Sequence, residues 1–396
     1  MSELITIDEA RRRVLDSVTR LGDEPVALSD ALGRVLAEDV TSGIPVPPFD
    51  SSAMDGFAVQ SGPAAERDLV GEARAGHPFA GAVSSGSAVR ISTGAVVPEG
   101  ADAVIPVERT TTAAEDRVSV PDSRPGQNIR RAGEDIARGA VVLLAGTPLG
   151  PAELGVAASV GRAELRCGQR PRVAVLVTGD ELTEPGAALG PGAIYSSNAY
   201  SLGAQIERSG AALIARTAIP DDPGETRAKL AQALEGANVV IVSGGVSVGP
   251  HDHVKPALLE LGVEERFWGV RLRPGKPTWF GTRGGTLAFG LPGNPVSAMV
   301  TFQLFVRPAL AALQGGRSEA RRAVARLNAA LPRNPQREQA IRVRLVQSDN
   351  GLTAEPTKGA QGSHVLTSML EADGLALIAA GDGEAAAGER VEVEFL

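Results

Sequence analysis

Three glycine-rich segments carry the residue types best suited to chemistry. They are Thr178-Gly179-Asp180-Glu181, Ser243-Gly244-Gly245-Val246-Ser247-Val248-Gly249 and Gly290-Leu291-Pro292-Gly293-Asn294-Pro295. Each follows a short apolar run that reads as a strand. Glycines beside a helix start expose backbone N–H groups, and the helix end adds partial positive charge. Taken singly, each loop is equally a turn for helix–strand packing. Three at one sheet edge suit a phosphate-bearing ligand in a shared crevice. None is a standard nucleotide fingerprint: Gly275-Lys276 is followed by proline, and no G-x-G-x-x-G follows a strand. A P-loop NTPase and a Rossmann dehydrogenase are therefore disfavoured.

Acidic residues cluster at the same edge: Asp180, Glu181, Asp221, Asp222 and Asp252. Magnesium takes one or two carboxylates and fills its remaining positions with phosphate and water, so Glu181, Asp252 and Asp221 are candidate ligands. Asp221-Asp222-Pro223-Gly224 is equally a turn with an N-cap, and Asp252 equally caps the next helix. His251 and His253 lack the third partner that zinc requires and read as loop polarity. Arg271-Leu272-Arg273-Pro274-Gly275-Lys276-Pro277 is basic and stiffened by two prolines. It is either a solvated turn or a clamp in which Arg273 and Lys276 hold a tetrahedral oxyanion.

The elements that must position these loops follow from periodicity. Strands are expected at 172–178, 211–219, 239–243 and 286–291, with helices at 197–209, 224–235, 253–261 and 294–314. Pro308 is expected to kink the last helix. Such alternation gives a mostly parallel sheet covered on both faces, with ligands at the carboxyl ends of its strands. Residues 46–141 read as an inserted mostly-β module, with strands at 88–91, 103–107 and 118–120. A further strand is expected at 140–144. Residues 1–45 and 142–170 read as a discontinuous N-terminal helical or lid domain. It opens on a docking helix capped by Thr6 and Glu9 and closes on a helix within 148–161. Residues 171–318 form the α/β domain, and 319–396 a small terminal β-barrel-like domain with a turn at Asp349-Asn350-Gly351.

Composition narrows the function classes. The 396 residues carry a net charge of −8, which argues against a nucleic-acid partner. A single cysteine, Cys167, excludes an internal disulfide framework. No uninterrupted apolar run approaches the length of a membrane span, and the N-terminus lacks a signal-peptide core, so a soluble cytoplasmic protein is expected. Glycine (47) and proline (27) abound while aromatics are 3%. That balance predicts tight turns, and binding by backbone groups more than by stacking.

Seven strings complete the pattern: PPFDSSAMDGFAV, ISTGAVVPEGADAVIPVE, NIRRAGEDI, TGDEL, SGGVSVG, RPGKP and GLPGNPVSA. In this order, over nearly the whole chain, they resemble the molybdopterin molybdenumtransferase family (MoeA and the gephyrin E domain). The resemblance implies an elongated homodimer of four-domain subunits. Each would insert molybdate into adenylylated molybdopterin, with Mg²⁺, and release AMP. It implies that Thr178, Gly179, Asp180, Gly244, Gly245, Pro292, Gly293, Asn294 and Pro295 contact that substrate. Glu181 and Asp252 would hold metal near the pyrophosphate. Arg273, Lys276 and Ser247 would receive molybdate, and Ser363 would approach from the terminal domain. Asp55, Thr93, Arg130 and Asp135 would reach in from the partner's β module. A molybdopterin adenylyltransferase and client molybdoenzymes are the implied protein partners. Gly269 and Ala360 depart from the family pattern, and the basic residue expected on the early terminal-domain strand is Arg337 or Arg342. A gephyrin-type scaffold and a CinA-like nucleotide hydrolase or deamidase are the competing functions.

Overall fold

Thr6 starts the first helix, α1 (Ile7–Asp16), where its hydroxyl oxygen accepts the Glu9 backbone N–H at 3.1 Å. This is a computed structural model describing residues 4–246, 252–348, 351–359 and 361–396. Ile7, Ala10 and Val14 recur on one face of α1 and are buried in the core of the α/β domain. Beyond α1, Asp23–Ala27 pairs antiparallel with Glu164–Gly168, and Val40–Thr41 pairs with Val141–Leu143. The segments flanking the inserted module thus share one core, built from Val26, Leu36, Leu143, Leu165 and Cys167.

The inserted module is a six-stranded sheet. Its order is Ala103–Pro106, Gly56–Val59, Ser87–Ile91, Ala65–Ala73, Arg117–Val120, Thr111–Ala114. Both faces are apolar: Phe57 and Ile105 belong to one cluster, Ala58 and Val104 to the other. A Cβ on Gly56 would lie 2.0 Å from the Ile105 carbonyl oxygen, so only glycine fits that crossing. The module is followed by α2 (Pro151–Ser159).

The α/β domain holds a six-stranded sheet in the order Ala212–Ile219, Arg172–Thr178, Val239–Ser243, Thr286–Leu291, Trp279–Arg283, Glu264–Trp268. The first four strands are parallel. Trp279–Arg283 runs antiparallel to both of its neighbours, Thr286–Leu291 and Glu264–Trp268, and these last two strands of the order lie outside the strand–helix alternation expected from sequence. They form a hairpin edge whose Glu, Arg and Thr residues hide the strand pattern. Along Arg172–Thr178, Val173, Val175 and Val177 face one core while Ala174 and Leu176 face the other. α3 (Ser197–Arg208) covers the first face, and α4 (Pro223–Gly236) and α5 (Val254–Glu260) cover the second.

Helices α6 (Pro295–Thr301) and α7 (Arg307–Leu313) are joined by a π-helical turn, Phe302–Val306. Pro308 has no N–H for the Leu304 carbonyl, and the Arg11 Nε of α1 donates to that oxygen at 3.0 Å instead. The expected kink is therefore met by a wider turn and a borrowed donor. Pro295–Leu313 is long and apolar enough by composition to cross a membrane, but it is mostly buried inside this fold.

The terminal domain is a closed five-stranded barrel of Glu338–Ser348, Gly351–Pro356, Arg322–Leu327, Arg390–Phe395 and Gly374–Ile378. The expected turn residues Asp349 and Asn350 lie outside the described residues. Leu272–Arg273 adds to Glu338–Ser348 in parallel, stitching the barrel to the α/β domain.

Candidate functional site

In chain order the four parallel strands stand 2-1-3-4, so the direction in which the chain adds strands reverses between Arg172–Thr178 and Val239–Ser243. A crevice is expected beyond their carboxyl ends. One of about 750 Å³ opens there. The glycine loops converge on it through atomic contacts that require glycine. A Cβ on Gly244 (φ +96°) would lie 2.6 Å from Thr178 Oγ1, and one on Gly245 (φ +65°) 2.7 Å from Val254 Cγ2. A Cβ on Gly179 (φ +139°) would lie 2.2 Å from a carboxylate oxygen of Glu181. The Glu181 side chain thus folds over the space that Gly179 leaves empty.

Asn198, in the first turn of α3, ties two of the loops together. Its Nδ2 donates to Ser243 Oγ at 2.9 Å and to the Gly293 carbonyl at 2.7 Å. Ser243 Oγ in turn donates to the Pro292 carbonyl at 3.2 Å. Trp268 Nε1 donates to the Val246 carbonyl at 3.1 Å and anchors the base of the SGGV loop.

The structure brings Thr178, Gly179, Glu181, Asp221, Gly244, Gly245, Asp252, Pro292, Gly293, Asn294 and Pro295 together around this crevice. Asp180 does not line it; its carboxylate accepts the Asp221 N–H at 3.0 Å and shapes the turn. Asp222 caps α4, and its carboxylate accepts the Glu225 N–H at 2.8 Å. Asp252 lines the crevice, and the N-cap position of α5 falls to His253. Asn294 sits at the N-cap position of α6 but makes no side-chain cap bond. Ser247 and His251 lie outside the described residues.

Arg273 and Lys276 are exposed on the neighbouring loop, while Pro277 reaches the crevice wall. Neither cation has an ion pair among the described residues. Gly269 adopts φ +89°, and a Cβ there would meet Leu4 Cδ2 at 2.5 Å, so no basic residue fits that departure without rearrangement. Ala360 lies outside the described residues.

From the barrel, the Ser363 carbonyl accepts the Val296 N–H of α6 at 3.1 Å, and His364 lines the crevice. Arg342 holds this loop at both ends: Nη2 donates to the Gly362 carbonyl and Nε to Ser368 Oγ, each at 3.2 Å. The side chain is fully buried, and among the described residues Nη1 has no partner and Arg342 has no ion pair. Burial pushes its pKa down to about 10, so it keeps its charge at neutral pH and would gain from an anion. Arg337, the other candidate for a basic contact, donates its backbone N–H to Asn334 Oδ1 and has no ion pair among the described residues.

Asp55, Thr93, Arg130 and Asp135 are exposed on the inserted module and do not line the crevice of their own chain. Asp55 Oδ1 accepts the Thr93 N–H at 2.6 Å, so these two form one unit. A depression of about 950 Å³ around Arg109 and Arg124 of that module contains none of the expected site residues.

Residues 5–161, 174–312 and 324–396 match, in turn, the family models for the MoeA N-terminal region (domain I and II), the probable molybdopterin binding domain and the MoeA C-terminal region (domain IV). A molybdopterin molybdenumtransferase of Haemophilus influenzae is 38% identical over 99% of this chain and 98% of its own. The chain belongs to the molybdopterin molybdenumtransferase family. A second relative, molybdopterin molybdenumtransferase 2 of Mycobacterium tuberculosis, is 36% identical over 98% of each chain. A solved structure titled molybdopterin biosynthesis MoeA protein, from Pyrococcus horikoshii, superposes with a TM-score of 0.83 at 29% identity over the full length of both chains. These matches include the inserted module, so neither a CinA-like hydrolase nor a scaffold-only reading is favoured.

Within the family frame, sequence reading missed Tyr195, Asn198 and His364, all of which line the crevice. The string YSSN carried the first two. Nothing local pointed to them, because strand pairing of Leu182–Thr183 with Ile194–Tyr195 brings that segment back beside Glu181. For a metal, the donor chemistry suits Mg²⁺. Three carboxylates line the crevice, yet no group of three or more metal-ligating side chains is gathered tightly among the described residues. Such a set fits an ion that completes its shell with phosphate oxygens and water.

Proposed function

We propose that this chain inserts molybdate into adenylylated molybdopterin and releases AMP, a reaction in keeping with the name molybdopterin molybdenumtransferase that its relatives carry. The observation that carries the reading is the convergence of three glycine loops and the Glu181, Asp221 and Asp252 carboxylates on one crevice, beside the Arg273–Lys276 loop. Backbone N–H groups of those loops would cradle the pyrophosphate. Glu181, Asp252 and Asp221 would hold Mg²⁺, which when bound neutralises charge on that pyrophosphate. Arg273 and Lys276 would receive molybdate, a planar fork and a point charge suiting a tetrahedral oxyanion. The unpaired Nη1 of Arg342 and the Ser363 loop support the same role from the barrel side.

The partner chain of a homodimer would bring Asp55, Thr93, Arg130 and Asp135, which do not line this crevice in their own chain. We divide the chain into 1–45 with 142–170, 46–141, 171–318 and 319–396, α1 packing on the third unit. The adenylylated substrate would come from a molybdopterin adenylyltransferase, and the product would pass to molybdoenzymes in the cytoplasm.

The molybdate clamp has its own test. Lys276→Ala is expected to raise the molybdate concentration needed for half-maximal AMP release about tenfold, the loss of one charged hydrogen bond. AMP release at saturating molybdate should stay near wild type. An unchanged molybdate requirement would remove Lys276 from the clamp.

A further inference from the structure

Aromatics make up 3% of the chain, and only two residues are tyrosine. One of them, Tyr195, lines the crevice and is 45% exposed. Ile194 beside it is 55% exposed and also lines the crevice. An exposed aromatic–aliphatic pair in a binding crevice costs hydration unless something flat covers it.

The tyrosine is held in place. Its segment pairs with Leu182–Thr183; the Ile194 N–H donates to the Glu181 carbonyl at 2.8 Å and the Ser196 N–H to the Thr183 carbonyl at 2.9 Å. The Tyr195 hydroxyl donates to the Ala187 carbonyl at 3.0 Å, which fixes the far end of the ring. The stack would therefore lose little freedom on binding. Immediately after it, Ser196 Oγ and Asn198 Oδ1 are buried without hydrogen-bond partners, in residues that line the same crevice. Unpaired buried acceptors of this kind are unusual, and a ligand edge bearing N–H groups would satisfy them after a small side-chain shift.

We infer that Tyr195, with Ile194, is the stacking seat for a planar nitrogen heterocycle of the substrate, whose N–H edge faces Ser196 and Asn198. The inference rests on the functional reading above. Adenylylated molybdopterin carries two such heterocycles, an adenine and a pterin, and both offer a flat face and N–H donors. Stacking a base on an aromatic side chain tolerates either ring.

The test compares Tyr195→Ala and Tyr195→Phe with wild type in binding two probes. One is AMP with Mg²⁺, by calorimetry; the other is free pterin, by its own fluorescence. Tyr195→Ala should weaken at least one probe roughly 5- to 150-fold, the span of about 1–3 kcal/mol of stacking. The probe affected identifies the ring that is seated. Tyr195→Phe keeps the face and should stay within about threefold of wild type on both. Oligomeric mass and melting temperature should match wild type in both variants. Unchanged binding by Tyr195→Ala would overturn the inference, as would a Tyr195→Phe variant as weak as Tyr195→Ala. Weakened binding that accompanies a changed oligomeric mass would overturn it in favour of a subunit contact. A wild-type protein that binds neither probe would remove the functional reading itself, and this inference with it.

Discussion

Gly179 and Glu181 depend on each other through one small volume. The Glu181 carboxylate occupies the space a Gly179 Cβ would need, and the backbone at Gly179 is at φ +139°, where side chains are strained. Gly179→Ala should displace Glu181 at a cost of about 1–3 kcal/mol in strain. AMP release should fall at least tenfold, while circular dichroism shows a folded protein. Wild-type activity in that variant would show that the carboxylate is not needed where the structure puts it. Gly179 and Glu181 were visible in the sequence because they are neighbours in one string. His364 and Arg342 were not visible as a pair. Their roles arise when a barrel strand and a loop 20 residues later meet through the Arg342–Gly362 bond. Gly269 shows the same limit: it reads as a missing basic residue, and its reason is the Leu4 side chain 265 positions earlier.

At the scale of elements, the parallel sheet and its loops were legible from alternating strand and helix patterns. The hairpin Trp279–Arg283 with Glu264–Trp268 was not, because its residues serve contacts more than alternation. Trp279 Nε1 donates to Glu265, and Arg266 Nε to the Thr282 hydroxyl. The helix from Pro295 to Leu313 was legible too, with Pro308 marked as a break. What resolves that break is α1: Arg11 caps the freed Leu304 carbonyl and pairs with the fully buried Glu394 of the barrel. Arg322 stands farther from Glu394, at 3.7 Å. Removing one partner of a buried ion pair costs about 3–5 kcal/mol, because the other charge is stranded. Arg11→Met should lower unfolding free energy by that order in denaturant titration. A loss below about 1 kcal/mol would match an exposed pair and show that the other nearby guanidiniums, Arg322 and Arg307, sustain Glu394 without Arg11.

At the scale of the whole molecule, the net charge of −8 and the handling of anions are reconciled by placement. Arg273 and Lys276 are exposed on the loop that ends at Pro277 in the crevice wall, Arg342 is buried behind the loop that carries His364, and the crevice carboxylates are the groups proposed to carry Mg²⁺. Asp55, Thr93, Arg130 and Asp135 of the inserted module do not line the crevice of their own chain, and under the proposed function a second chain would supply them. Mixing Asp55→Asn and Glu181→Gln subunits, each inactive alone, should restore about a quarter of wild-type activity. Random pairing makes half the dimers mixed, and each mixed dimer has one intact site. No recovery after subunit exchange would place the whole site in one chain. The two-chain site is an expectation that the family resemblance implies, and no contact among the described residues of the single chain encodes it. The central claim is the chemistry of the crevice, and its most direct measurement is AMP release. Purified wild-type, Glu181→Gln and Asp252→Asn proteins would be incubated with adenylylated molybdopterin and Mg²⁺, with and without molybdate. The account predicts molybdate-dependent AMP from wild type and none from either variant at matched melting temperatures. Molybdate-dependent AMP release from both variants at the wild-type rate would contradict it.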